Sequence, residues 1–355
     1  MAFFYRARVW VLVAAGLIFF LSGTARIGAS DNKINGRHFA DLEARARQGY
    51  AQQQFELGHA YFYGFGVPQD FKKAAHWYEK AAKSGSPEAE NQIGFLYQNG
   101  IGVRIDLQRA VHWYQLSSAS GLPLGKVNLA VCYLNGVGVP KNTSTARHLL
   151  IEAVEKGEGL GAAYLGRMEL SGVDGPENVP EAERLFKAGM RLNDPVAAYG
   201  LAYLNTARDG HPRDLRKGAE QLRFSARTGY VPAMHALGVL LVNNLEIPRG
   251  DGEVRTLLQR ASSAGYWQAS VILGILARDG RGTPADAAAA FYYFRLATLQ
   301  GGTKGEQMVA ADLRALSNQL PSETISTSDG RAKAWYEQHH VQLQFVLNPE
   351  DGDKL

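Results

Sequence analysis

The chain has 355 residues, 46% of them hydrophobic, and a formal charge of +4, so it is long enough to bury a continuous core. Three basic residues (Arg6, Arg8 and Arg26) and no acid fall within residues 1–30, leaving the remainder balanced to within one charge; such a chain lacks the basic footprint of a nucleic-acid binder. A single cysteine excludes an internal disulfide.

At the N-terminus, Arg6 and Arg8 precede an uninterrupted apolar run over residues 9–21. This pattern predicts a secretory signal and is short for a membrane span. Gly23 and Ala25, or Gly28 and Ser30, supply small residues for a cut, and no cysteine follows to carry a lipid. Residues 1–30 are thus either cleaved or kept as an N-terminal anchor, and in both cases the rest of the protein is exported. Residues 31–50 read as a linker and a capping helix over 37–48.

From Gly49 onward the chain copies itself every 36 residues. One column reads Gly49, Gly85, Gly121, Gly157, Asn193, Gly229, Gly265 and Gly301. A second reads Asp70, Asp106, Asn142, Asn178, Asp214, Gly250 and Asp286, the residue types that cap helix N-termini. A third is Leu57, Ile93, Leu129, Leu165, Leu201, Leu237 and Leu273, each followed by Gly or Ala. A fourth is the pair that begins as Trp77-Tyr78 and Trp113-Tyr114 and ends as Tyr293-Phe294. A cap, an apolar stripe and a left-handed stop define one helix, here called helix B. Helix A precedes it, opened in three units by Pro87, Pro123 and Pro195. Each unit is a helical hairpin, and Trp77 and Trp113 are expected to be buried inside theirs. Seven units fill residues 51–302. A degenerate capping repeat follows over 303–340, with a helix over 306–318, a Ser/Thr-rich loop opened by Leu320-Pro321, and a helix over 331–339. Residues 341–355 form a tail.

The run Leu57-Gly58, Tyr61, Gly64-Phe65-Gly66-Val67, Asp70, Ala74, Trp77-Tyr78, Ala81-Ala82 and Gly85 resembles the Sel1-like repeat, a relative of the tetratricopeptide repeat. The resemblance covers about residues 49–302 and loosens in units five and six, where Arg208 and Asn244 replace the first glycine of the connector. It implies an all-α fold, a right-handed α/α superhelix in one domain, acting as a monomeric protein-interaction scaffold. It also implies that helix A lines the inner, concave surface. Phe55, His59 and Tyr63 in the first unit, Asn91, Phe95 and Asn99 in the second, and Val127, Val131 and Asn135 in the third would then contact a protein or peptide partner.

Signs of chemistry are sparse. His76, His112 and His148 form a column, but neighbouring units sit about 8–10 Å apart, too far for two imidazoles to share a zinc at ~2.1 Å. His339-His340 lacks a third ligand. Cys132 lies between Val131 and Tyr133 and reads as a buried thiol. The Gly-x-Gly connectors lack a following Lys-Ser/Thr and do not follow a strand, so they read as turns. No nucleophile elbow or His-Glu-x-x-His motif occurs. The expectation is a non-enzymatic scaffold in the bacterial envelope or periplasm, with no cofactor, no metal and no nucleic-acid partner. The alternative is a glycan-binding or wall-modifying, β-lactamase-like relative, which the missing second cysteine disfavours.

Overall fold

The computed structural model describes residues 36–208, 210, 212–250 and 252–343, in two compact units divided along the chain between Gly200 and Leu201. The expected signal and the tail beyond residue 343 lie outside the described residues. Among those residues there are sixteen helices and no strand.

The first unit holds α1 (Gly36–Arg47), α2 (Ala51–Tyr63), α3 (Phe71–Lys83), α4 (Pro87–Asn99), α5 (Leu107–Ala119), α6 (Pro123–Asn135), α7 (Thr143–Glu155), α8 (Gly159–Ser171), α9 (Val179–Arg191) and the first half of α10 (Pro195–Thr206). The α2–α3, α4–α5, α6–α7 and α8–α9 pairs are the hairpins, and each also packs on the next. This is the stacking of an α-solenoid, in which each repeat buries its apolar face on its neighbours.

The repeated columns explain the packing. Asp70, Asp106, Asn142 and Asn178 accept hydrogen bonds from the amides of Lys73, Arg109, Thr145 and Glu181 at 3.0–3.2 Å, closing the first turn of each helix B. The second residue of the aromatic pair is the more deeply buried of the two. Tyr78, Tyr114 and Phe186 are fully buried and lie against the glycine of the Leu-Gly pair. A Cβ on Gly58, Gly94 or Gly166 would sit 2.6–2.9 Å from the ring of its own hairpin. Trp77 is buried against Leu42 and Ala46 of α1 and Leu57 of α2, whereas Trp113 is only half-buried. The expectation for Trp113 is therefore corrected: that column points toward the preceding unit, and the ring has an exposed edge.

The two glycines of each connector have different tasks. Gly64, Gly100 and Gly136 end helix A in the left-handed conformation. The second glycine serves stacking, since a Cβ on Gly102 would lie 2.1 Å from the Phe71 carbonyl oxygen at the start of the preceding helix B. Gly138 stands in the same relation to Leu107.

The second unit continues with α11 (Leu215–Arg227), α12 (Val231–Asn243), α13 (Glu253–Ser263), α14 (Trp267–Arg278), α15 (Ala287–Gln319) and α16 (Ser322–Leu343). Here two connectors have lost their first glycine, to Arg208 and Asn244, and at the second of them arginines satisfy backbone carbonyls. Arg223 donates to the Pro248 carbonyl at 2.6 Å and Arg249 to that of Leu241 at 2.5 Å. Three expectations change. Helix α13 starts late and is capped by Gly252, not Gly250, which leaves Glu253 Oε2 to accept from the Gly250 amide. The left-handed break that ends the last repeat falls at Gly302 (φ 52°) inside α15, because Gly301 is packed 2.7 Å (at Cβ) from the Trp267 indole. Residues 322–330 are helical and not a loop. Tertiary packing overrides the weak helix propensity of Ser and Thr there: Ser328 is buried and donates to the Ala288 carbonyl at 3.3 Å.

Candidate functional site

The expected binding residues all lie on α2, α4 and α6 of the first unit. On α2 the structure groups Phe55, His59 and Tyr63 into one half-buried aromatic patch. The Phe55 and His59 rings are 4.4 Å apart, and those of His59 and Tyr63 5.5 Å. Tyr63 in turn stacks on Phe65 at 5.2 Å and 14°. The Tyr78 hydroxyl lies 2.8 Å from His59 Nδ1, tying the patch to the core of its hairpin. Burial lowers the His59 pKa to about 4 and pushes that of Tyr63 up to about 12. Both rings are therefore neutral near pH 7, and the patch is apolar with polar edges.

On α4 and α6 the same repeat positions turn inward. Val127 is 0% exposed, and Asn91, Phe95 and Val131 are buried as well. The cause is direct contact between successive A helices: Asn128 Nδ2 donates to Asn91 Oδ1 at 2.7 Å across α6 and α4. Positions aimed along the stack become interior wherever a neighbour sits on both sides. Val127 is thus a packing residue, while Asn99 and Asn135 stay half-buried at the helix ends.

Residues one position further round the helix take the surface that these vacate. Glu56, Gln92 and Asn128 share a repeat position and keep exposed area. Their spacing of 36 and uniform polarity mark them in the sequence as the wet edge of helix A. The assignment by family geometry passed over them.

The residues weighed for chemistry are dispersed. His76, His112 and His148 are exposed on α3, α5 and α7, and His148 pairs with Glu152 at 2.9 Å. His339 stacks on Trp335 of its own helix at 4.4 Å, and the His340 side chain lies outside the described residues. Among the described residues no three His, Cys, Asp or Glu side chains group as a metal site. Cys132 is buried and its thiol pKa is pushed up to about 12 by desolvation, which makes it inert as a nucleophile. Each unit has a crevice among its described residues. That of the first unit, about 370 Å³, is lined by Arg147, which donates to Glu169 at 2.6 Å and Asp174 at 3.1 Å. That of the second, about 430 Å³, is lined by Phe291, Leu313 and Ile325 beside the Arg295–Asp329 ion pair.

A Sel1 repeat model matches residues 54–86, 87–122, 123–158, 160–194, 195–222 and 268–302, more than half of the chain. The chain belongs to the Sel1 repeat family. The Sel1 matches skip residues 223–267, which span the connector that opens with Asn244 in place of glycine and the late-starting α13. A Sel1 repeat protein from Oxalobacter formigenes is similar in structure, with a TM-score of 0.55 and 23% identity over 70% of this chain and 99% of that one. A protective antigen of uropathogenic Escherichia coli that displays an SLR fold aligns with a TM-score of 0.44 and 21% identity, covering 93% of this chain and 81% of that chain. No curated protein matches the sequence. Among the described residues, no helix is long and apolar enough to cross a membrane.

Proposed function

We propose that this Sel1 repeat protein is a non-enzymatic, monomeric interaction scaffold that works outside the cytoplasm and binds a protein partner on the A helices of its first three hairpins. The observation that carries the reading is the half-buried patch of Phe55, His59 and Tyr63, held by Tyr78 and left partly open to solvent. Aromatic side chains fixed in place give up little conformational freedom on binding, and truncating such an anchor typically costs about 2 kcal/mol or more of affinity. Export is proposed from the Arg-flanked apolar run at residues 9–21.

Crosslinking in cells, followed by mass spectrometry, identifies partners of the wild-type protein and of the Phe55→Ala/Tyr63→Ala variant. The variant is expected to lose the partner while its circular dichroism spectrum stays unchanged. Undiminished crosslinking by the folded variant would move the binding face elsewhere. The N-terminal sequence of the cell-extracted protein tests export separately. A protein starting at Met1 and found in the cytosolic fraction would refute it.

A further inference from the structure

In the well-preserved hairpins the connector folds back over the helix B that precedes it. A Cβ on Gly138 would lie 2.3 Å from the Leu107 carbonyl oxygen and 3.0 Å from Val111 Cγ2, so residues 136–142 cover the start of α5. At the end of the array this cover is missing. Helix α15 runs on to Gln319, and only Leu320-Pro321 separate it from α16. Phe291 holds the repeat position of Val111, five repeats on. With Arg295, Leu313, Ile325 and Asp329 it lines the open crevice of about 430 Å³.

The crevice of the first unit shows what belongs at this position. It is lined by Arg147, the counterpart of Phe291 four repeats earlier, and by a connector that carries Asp174-Gly175-Pro176-Glu177-Asn178. Asp174 of that connector accepts from Arg147 at 3.1 Å. Five of the seven connectors close on Pro-x-Asp or Pro-x-Asn, at Pro68, Pro140, Pro176, Pro212 and Pro284. The sequence carries that triplet once more, as Pro349-Glu350-Asp351.

Reach and charge agree. From Asp329 to Leu343 helix α16 advances fourteen residues, or ~21 Å at 1.5 Å per residue. Residues 344–351, extended at ~3.3 Å each, span about 26 Å, enough to bring Pro349-Glu350-Asp351 back to the level of Asp329. The side chains of segment 344–355 include Glu350, Asp351, Asp353 and Lys354, a formal charge of −2. Arg295 and Lys333 both pair with Asp329, Lys333 at 2.7 Å, which leaves one positive charge in surplus beside the crevice. The other acids of α16, Glu323 and Glu337, do not line it. We infer that the crevice between α15 and α16 is the docking site of the chain's own segment 344–355, whose Pro349-Glu350-Asp351 fills the place of the missing connector and sets its carboxylates against Arg295 and Lys333.

Disulfide trapping in the full chain tests this. Ser326→Cys on the crevice wall is combined with Gly352→Cys in the segment, and the protein is oxidised mildly at low concentration; Cys132 is buried and does not compete. A monomer carrying the 326–352 disulfide is expected in peptide maps. Tethering by itself raises the local thiol concentration, so the deciding readout is the trapping rate after Lys333→Glu. A docked segment should be trapped about threefold more slowly, the scale of one partly exposed ion pair, and adding Asp351→Lys should restore the rate. A rate that Lys333→Glu leaves unchanged, or lowers without rescue by Asp351→Lys, would overturn the inference, as would absence of the disulfide. Disulfide-linked dimers in place of the monomer would show the segment docking on a second copy, which overturns docking within one chain.

Discussion

Asp194 sits 7% exposed immediately before α10, and its carboxylate accepts a hydrogen bond from the Ala197 amide at 2.7 Å. It packs on the start of α8, where a Cβ on Gly159 would lie 2.7 Å from the Asp194 Cβ. Desolvation raises its pKa from 3.8 to about 7, against the pull of the Ala197 amide and with added repulsion from Glu158. Between about pH 4 and pH 7 the unfolded chain has released this proton while the folded chain keeps it. The stabilisation is therefore complete below pH 4 and lost as pH rises through about 7. A shift of about 3 units at 1.36 kcal/mol each bounds the loss at ~4 kcal/mol. Asp194→Asn keeps an acceptor for Ala197 and cannot ionise. At pH 8 it should be more stable than wild type by as much as ~4 kcal/mol, and at pH 4 nearly equal to it. Urea denaturation of both proteins across this range, with hydrogen exchange at Ala197 and Ala198 to localise the effect, makes the comparison. The difference between the two proteins isolates Asp194 from carboxylates such as Glu152 and Glu181, whose lowered pKa values push stability the opposite way. A wild type that is more stable than Asp194→Asn at pH 8 would refute the reasoning, because the helix N-terminus would then be stabilising the charged form.

Other predictions follow from the repeat columns. Tyr114→Ala should destabilise by about 3–5 kcal/mol, as large-to-small changes in a core do, and Trp113→Ala clearly less; equal shifts in denaturation midpoint would contradict the assignment of the second ring to the core. Gly274→Ala drives a Cβ to 2.5 Å from the Phe294 ring and should cost about 1–3 kcal/mol through overpacking. Adding Phe294→Leu should recover part of that loss, since Ala130 and Ala202 are natively paired with Leu150 and Leu222; no recovery in a double-mutant cycle would argue against this contact. Amide exchange should be faster around residues 205–214 and 243–252, where Arg208 and Asn244 replace the first connector glycine, than around 61–70, and uniform protection would contradict this.

Periodicity was legible because the physics of a hairpin recurs at fixed offsets. A cap such as Asp106, a stop such as Gly121 and a small residue such as Gly94 each answer a local requirement of the backbone, and local requirements are written locally. The helices, their order and the all-α stack follow from those columns alone. The tertiary structure decided what depends on a neighbour. Asn91, Phe95 and Val127 share repeat positions with Phe55 and His59, yet they are interior because another A helix covers them. Trp113 repeats Trp77 but lacks the same enclosure, and residues 322–330 become helical through contacts such as that of Ser328 with α15. Asp194 is buried where its neighbour Asn193 is exposed, and its raised pKa comes chiefly from that burial. In the repeats, a residue's conformation is set within a few positions of chain. Its exposure, and with it any role in binding, is set by side chains an entire repeat away.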